Sequence, residues 1–208
     1  RGFGYTLYIK ENGKLYGIGE NQDGQLGDGT GENRDTPVEI ASEVRAVSAV
    51  FRHSLFLKED GSLWAMGYNE FGALGDGTSE TRLSPFMVDS DVVSISAGAD
   101  FSFYIKSDKT LWGMGDNFLG QLGDGTNIDK FSPIQIADNV KMVTAGGGGS
   151  FAHFIKTDHT LWAMGDNGAG QFGDGSFEGS FQPVPIDTEV MAVGGGQSDA
   201  YYLKTDGT

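Results

Sequence analysis

Four aspartates stand at one place in four copies of a Gly-Asp-Gly-Thr or Gly-Asp-Gly-Ser loop: Asp28, Asp76, Asp124 and Asp174. Carboxylates in glycine-rich loops are the raw material of calcium sites, but calcium needs six to eight oxygens converging on one point. One aspartate per repeat spreads them apart instead. Asn21-Gln22-Asp23-Gly24 looks faintly like a calcium loop, yet Phe71, Leu119 and Ala169 hold the position of Asp23 in the other copies. The aspartates are therefore read as turn residues that cap their own loops with side-chain hydrogen bonds. The same reading covers Asn21, Asn69, Asn117 and Asn167, each set between fixed glycines, where an amide satisfies loop backbone groups. Neither a metal nor a cofactor is expected.

Other catalytic chemistry lacks residues to carry it. Cysteine is absent, which removes thiol catalysis, thiolate zinc sites and disulfides. The histidines, His53, His153 and His159, fall at non-equivalent places in the repeats and share no metal-ligand spacing. Gly147-Gly148-Gly149-Ser150-Phe151 lacks the closing glycine of a nucleophile elbow. The Gly-x-Gly stretches neither lead from a strand into a helix nor carry a phosphate-loop lysine. The expectation is a chain that is not an enzyme.

The loops belong to a repeat. LYGIGENQDGQLGDGT, LWAMGYNEFGALGDGT, LWGMGDNFLGQLGDGT and LWAMGDNGAGQFGDGS begin at Leu15, Leu63, Leu111 and Leu161, which are 48, 48 and 50 residues apart. Each is preceded by an apolar run such as Ser54 to Lys58, nearly continuous as in a strand covered on both faces. Between run and repeat lie Asn12-Gly13, Asp60-Gly61 and Asp206-Gly207, pairs favoured in two-residue hairpins whose central residues both take positive φ. Lys109 and His159 replace the glycine in two copies, which predicts a slightly strained or differently shaped turn there. Pro37, Pro85, Pro133 and Pro183 each open a short strand. A fourth strand, Val44 to Ala49 and its equivalents, ends the unit. Four short antiparallel strands per repeat make an all-β fold, a propeller of four-stranded blades, as one domain over 1–208 with repeats 15–62, 63–110, 111–160 and 161–208 and a hairpin remnant at 1–14.

The run His53-Ser54-Leu55-Phe56-Leu57-Lys58-Glu59-Asp60-Gly61-Ser62-Leu63-Trp64-Ala65-Met66-Gly67-Tyr68-Asn69, with Gly72 and Leu74-Gly75 after it, resembles the repeat of the regulator of chromosome condensation family. The resemblance implies a seven-bladed propeller, around 340 residues at this repeat length. About four repeats are present, so the chain reads as a propeller segment, and an unpaired terminal edge would invite edge-to-edge self-association. It also implies a choice of roles: nucleotide exchange on a small GTPase, association with chromatin, or inhibition of an enzyme by a secreted bacterial protein. The short, regular repeats look most like the bacterial branch, which implies an extracellular or cell-surface location, with the cytoplasm as the alternative.

Acidic residues outnumber basic ones, 29 against 14, for a net charge of −15. Such a surface repels phosphate backbones, so direct nucleic-acid binding is not expected. No apolar run reaches the roughly 20 residues of a membrane span. Trp64, Trp112 and Trp162 are assigned to packing. Positions that vary within the constant Gly-x-Asn-x-x-Gly frame are left to carry function. Large apolar residues on loops mark packing or binding, which singles out Tyr68, Phe71, Phe118 and Leu119, with Asp116 from the same variable positions; a second variable segment ahead of each proline adds the aromatics Phe131, Phe177 and Phe181. The two segments leave the blade at different points, and the face each serves stays open. The expected function is a protein-binding module presenting variable loops on a rigid propeller. The alternatives are a structural, adhesin-like segment binding glycans, and a GTPase or chromatin regulator.

Overall fold

A computed structural model describes residue 2 and residues 4–208. Seventeen strands run through these residues, and no helix occurs among them. Three sheets have four antiparallel strands in sequence order: β4 (Val44–Val50) to β7 (Arg82–Asp89), β8 (Val92–Ala97) to β11 (Lys130–Ala137), and β12 (Val140–Ala145) to β15 (Ser180–Asp187). They are flanked by a three-stranded sheet, β1 (Tyr5–Ile9), β2 (Leu15–Gly19) and β3 (Arg34–Ala41), and a two-stranded one, β16 (Val190–Gly195) and β17 (Ala200–Lys204). These are successive blades, first to fifth, of a β-propeller segment.

The inner strands β4, β8, β12 and β16 pack side by side, and each also packs on the second strand of the blade before it. Ser48 Oγ accepts the Ala97 N–H, and Ser96 Oγ accepts the Ala145 N–H, so equivalent hydroxyls tie β4 to β8 and β8 to β12. Second strands are covered on both faces, which is why β5 (His53–Lys58), β9 (Phe101–Lys106) and β13 (Phe151–Lys156) are buried almost throughout. Apolar clusters lie between sheets, such as Leu26 and Met66 with Tyr5, Leu7 and Phe56.

Three local expectations change. The strand read as ending each repeat pairs with the hairpin that follows it: Val44–Val50 is the first strand of the second blade, so each sequence repeat straddles two sheets. The chain crosses between blades in a tight turn at Glu43, Asp91, Asn139 and Glu189, all at positive φ. In the hairpins only the second residue of Asn12-Gly13 and Asp60-Gly61 has positive φ, because the loop is one residue longer than a two-residue turn. The Gly13 N–H bonds to Lys10 O and the Lys10 N–H to Lys14 O, a type I turn closed by a left-handed residue. Lys109 and His159 hold that left-handed place at φ 69° and 68° without glycine's freedom. The prolines lie inside the outer strands, which begin three residues earlier, at Arg34, Arg82, Lys130 and Ser180. An outermost strand with a register shift next to the proline has no ladder bond for it to break.

Candidate functional site

Each Gly-x-Asn-x-x-Gly-x-Leu-Gly-Asp-Gly-Thr stretch is the connection from the third to the fourth strand of its blade. Its asparagine holds it together from inside. Asn69 is buried: its Oδ1 accepts the Leu74 N–H at 2.9 Å, and its Nδ2 donates to Asp76 Oδ1 and Thr78 O at 3.0 Å. Asn21 and Asn117 repeat this pattern, and Asn167 does so with Phe172, Asp174 and Ser176. The aspartates face inward too. Asp124 Oδ1 accepts the Thr126 N–H and hydroxyl and the Asn117 amide, and Asp28 and Asp76 do the same.

Sequence reasoning missed a cation at the first residue of the outer strand, six residues after the aspartate. Arg34 pairs with Asp28, Arg82 with Asp76 at 2.6 Å and Lys130 with Asp124 at 2.7 Å. Ser180 stands there in the fourth blade, and among the described residues no cation pairs with Asp174. Burial works against ionisation of Asp124, but Lys130, Thr126 and Asn117 outweigh it and bring the pKa down to about 2. Among the described residues no group of three His, Asp or Glu could hold a metal.

The loops lie across the next blade. Gly77 N–H bonds to Phe131 O, Gly29 to Leu83 O and Gly125 to Phe181 O. Gly72 sits at φ +84°, where a Cβ would lie 2.7 Å from the Phe131 Cα, and Gly120 meets the ring of Phe181 in the same way. Both variable segments thus belong to one connection and leave the same end of the propeller, the end that also carries the turns between first and second strands. The faces they serve, left open by the sequence, are therefore one and the same end.

At that end the candidate residues fall into groups. Tyr68 and Phe71 meet edge-on at 6.4 Å; the Arg52 guanidinium lies over the Tyr68 ring and forms a bidentate pair with Asp23 of the preceding loop at 2.6 Å. The Tyr68 hydroxyl donates to Glu70. These two rings are half-buried and held. Phe118 is 71% exposed, Leu119 40%, Phe181 48% and Phe177 71%. Phe181 covers Gly120 beside Leu119, while Phe177 folds back over Gly170 of its own loop. Leu83, Ile128 and Phe131, equally exposed, extend the apolar rim, and two of them were not picked out from sequence. Leu83 and Phe131 stand at the position of Phe181, the register signal that would have found Leu83.

Asp116 is not a free contact group. Its carboxylate accepts the Phe118 N–H at 3.0 Å and the Gln121 amide at 2.7 Å, which fixes the loop that lifts Phe118. Burial, then the charge of nearby Asp129, raises its pKa; burial, then the charge of Asp116, raises that of Asp100. An acidic, partly desolvated patch therefore sits beside the apolar rim.

Models of the Regulator of chromosome condensation (RCC1) repeat match residues 12–57, 60–105 and 108–153, and a second model of that repeat matches 44–73 and 92–121. No curated protein matches the chain in sequence. Among solved structures, human WBSCR16 superposes with a TM-score of 0.85 at 20% identity, over 98% of this chain and 56% of its own. Prp20p from Saccharomyces cerevisiae, described together with its binding to Gsp1p and histones, gives 0.81 at 19% identity, over 94% of this chain and 52% of its own. The same yeast protein bound to Kap60 gives 0.79 at 18%. The chain spans about half the length of these structures. Repeat models over most of its length, and the blade geometry they describe, make the chain a member of the regulator of chromosome condensation repeat family.

Proposed function

We propose that the chain is a non-enzymatic protein-binding module, and that its loop-bearing end engages a partner with apolar side chains flanked by basic ones. The observation that carries this reading is the pairing of Phe118, Leu119, Ile128, Phe131, Phe177 and Phe181, exposed along one rim, with the half-buried carboxylates of Asp100 and Asp116 beside them. Exposed aromatics backed by a rigid frame are the side chains that dominate interface energetics. Their spread over successive blades favours a broad protein surface over a single glycan groove. A net charge of −15 steers a basic partner toward the module. Prp20p, whose binding to Gsp1p and histones accompanies its structure, is a relative for which partners are named; for this chain the proposed partner class rests on the rim chemistry alone.

A photo-crosslinking amino acid placed at position 118 or 177, compared with one at Val93 on the opposite end, tests this reading. Adducts with the same protein from 118 and 177, and none from 93, are expected. Adducts confined to position 93 would contradict it.

A further inference from the structure

A second kind of site lies at the other end of the blades. Where two blades meet, the last residue of one outer strand faces an aromatic and a lysine on the second strand of the next blade. The residues alternate along the chain. Asp89 faces Tyr104 and Lys106, and Asp187 faces Tyr202 and Lys204, whereas Ala41 faces Phe56 and Lys58, and Ala137 faces Phe154 and Lys156.

In the aspartate junctions the carboxylate itself occupies the place beside the aromatic ring and the lysine. Asp89 accepts the Tyr104 hydroxyl at 2.9 Å and the Lys106 ammonium at 2.9 and 3.0 Å, and Asp187 is held by Tyr202 and Lys204 at 2.9 Å each. In the alanine junctions a groove stays open. One of about 310 Å³ is lined by Ile40, Ala41, Phe56, Lys58, Trp64 and Pro85. Its equivalent, about 460 Å³, has Ala137, Phe154, Lys156, Trp162 and Pro183 in the same places. Phe56 stacks on Trp64 at 6.1 Å and Phe154 on Trp162 at 6.2 Å, so the wall of each groove is a rigid aromatic pair. Lys58 and Lys156 lie over those tryptophans at 5.3 and 4.5 Å, and among the described residues neither pairs with a carboxylate.

We propose that the two alanine junctions bind acidic side chains of a partner polypeptide, each carboxylate taking the place beside lysine that Asp89 and Asp187 fill in the alternate junctions. The exchange of Tyr for Phe fits this reading: with no internal carboxylate to receive it, a tyrosine hydroxyl in the groove would lack its acceptor, and the bare ring accepts an apolar stem instead. A partly enclosed lysine–carboxylate contact beside an aromatic wall is stronger than a fully exposed pair. Glutamate suits the groove better than aspartate, because its longer methylene stem lies along Phe56, Trp64 and Pro85 while its head reaches Lys58. The two grooves are unequal: Ser42 borders the first and Asp138 the second, so the first is the tighter. The turn aspartates Asp60 and Asp158 add the same background field at both, as Asp108 does beside Lys106. This site is independent of the loop rim.

The test is a titration of the ¹⁵N-labelled protein with N-acetyl-glutamate N-methylamide, following the indole N–H signals of Trp64, Trp112 and Trp162. Saturable shifts at Trp64 and, at higher concentration, Trp162 are expected, with Trp112 unmoved. Lys58→Met should weaken the Trp64 response about fivefold or more and leave Trp162 unchanged. Ala41→Asp with Phe56→Tyr, which copies the Asp89–Tyr104 junction and so has a precedent in the fold, should abolish it. An equal response to the glutamine analogue, an equal response at Trp112, or no saturable shift would overturn the proposal. Tighter binding of glucuronate than of the glutamate probe would overturn the assignment to a polypeptide in favour of an acidic sugar.

Discussion

His153 Nδ1 is the one buried side-chain polar atom without a hydrogen-bond partner among the described residues. Phe151 and Phe172 meet its ring edge-on, and burial lowers its pKa to about 4. His53, fully buried with Nε2 2.9 Å from Ser102 Oγ, is likewise lowered by burial to about 4. Both pKa values fall below the unfolded value of 6.5, so the unfolded chain takes up protons first as pH drops. The part of stability set by these two histidines is full above pH 6.5, declines as pH falls toward about 4, and changes no further below that. Leu55 and Phe103 occupy the position of His153 in two other blades, opposite Ala65 and Gly113. Since Ala163 faces His153, leucine is the side chain with room. His153→Leu should therefore stabilise the protein by about 1 kcal/mol or more at pH 7, with a larger gain at pH 5, as measured by urea denaturation at the two pH values.

The loop aspartates give a graded prediction. Asp124→Ala removes the acceptor for Thr126 and Asn117 and the partner of Lys130, and should cost about 1–3 kcal/mol. Asp174, mostly exposed and with no cation, should cost about 1 kcal/mol or less when changed in the same way. Equal costs would show that the cation at the head of the outer strand contributes nothing. Asp124's folded pKa lies below its unfolded one, so its contribution is present above about pH 4 and is lost as pH falls through about 2.

At the scale of elements, loop docking rests on backbone approach. Gly72→Ala puts a Cβ 2.7 Å from the Phe131 Cα and 2.9 Å from Lys130 O at a positive φ, so the loop must lift off the third blade. A loss of about 1–3 kcal/mol, with faster amide exchange at Gly77, is expected. Gly173→Ala, whose Cβ would have nothing within 4 Å, carries only the φ penalty and should cost less.

Strand order, the hairpins and the structural asparagines were legible because the same residue types return at the same offsets in every copy. The blade boundary was not: a sequence repeat has no phase of its own, and only pairing shows that Val44–Val50 belongs with the hairpin after it. Turn shape was misread because Asn-Gly serves both a two-residue loop and the bulged turn present here. Within the candidate site, exposure of Phe118 and Phe177 followed from their place on loops, but the restraint of Tyr68 depends on Arg52, which comes from a different connection. The Ala/Phe and Asp/Tyr alternation spans two repeats and pairs residues from adjacent blades, so aligning single repeats hides it.

At the scale of the whole molecule, the fold is a rigid ring segment whose blades are joined by inner-strand hydroxyls, interlocked cores and loops laid across the next blade. That rigidity is what allows loop tips to vary without loss of the frame. Acid should weaken the proposed interface: Asp100 and Asp116 have raised pKa values, so they lose charge earlier than ordinary carboxylates as pH falls, and affinity for a basic partner should drop from there downward. Binding measured across pH 7 to 4, alongside the fold's own stability, checks this.

Paired affinity and melting measurements on Phe118→Ala and Phe181→Ala, against the partner identified by crosslinking, test the central claim most directly. Phe118 is mostly exposed, so its loss should weaken binding by about 2 kcal/mol or more while the melting temperature stays put; Phe181, which covers Gly120, should lower both. A Phe118→Ala protein that melts lower yet binds its partner unchanged would show that the rim is blade packing and that the interface lies elsewhere.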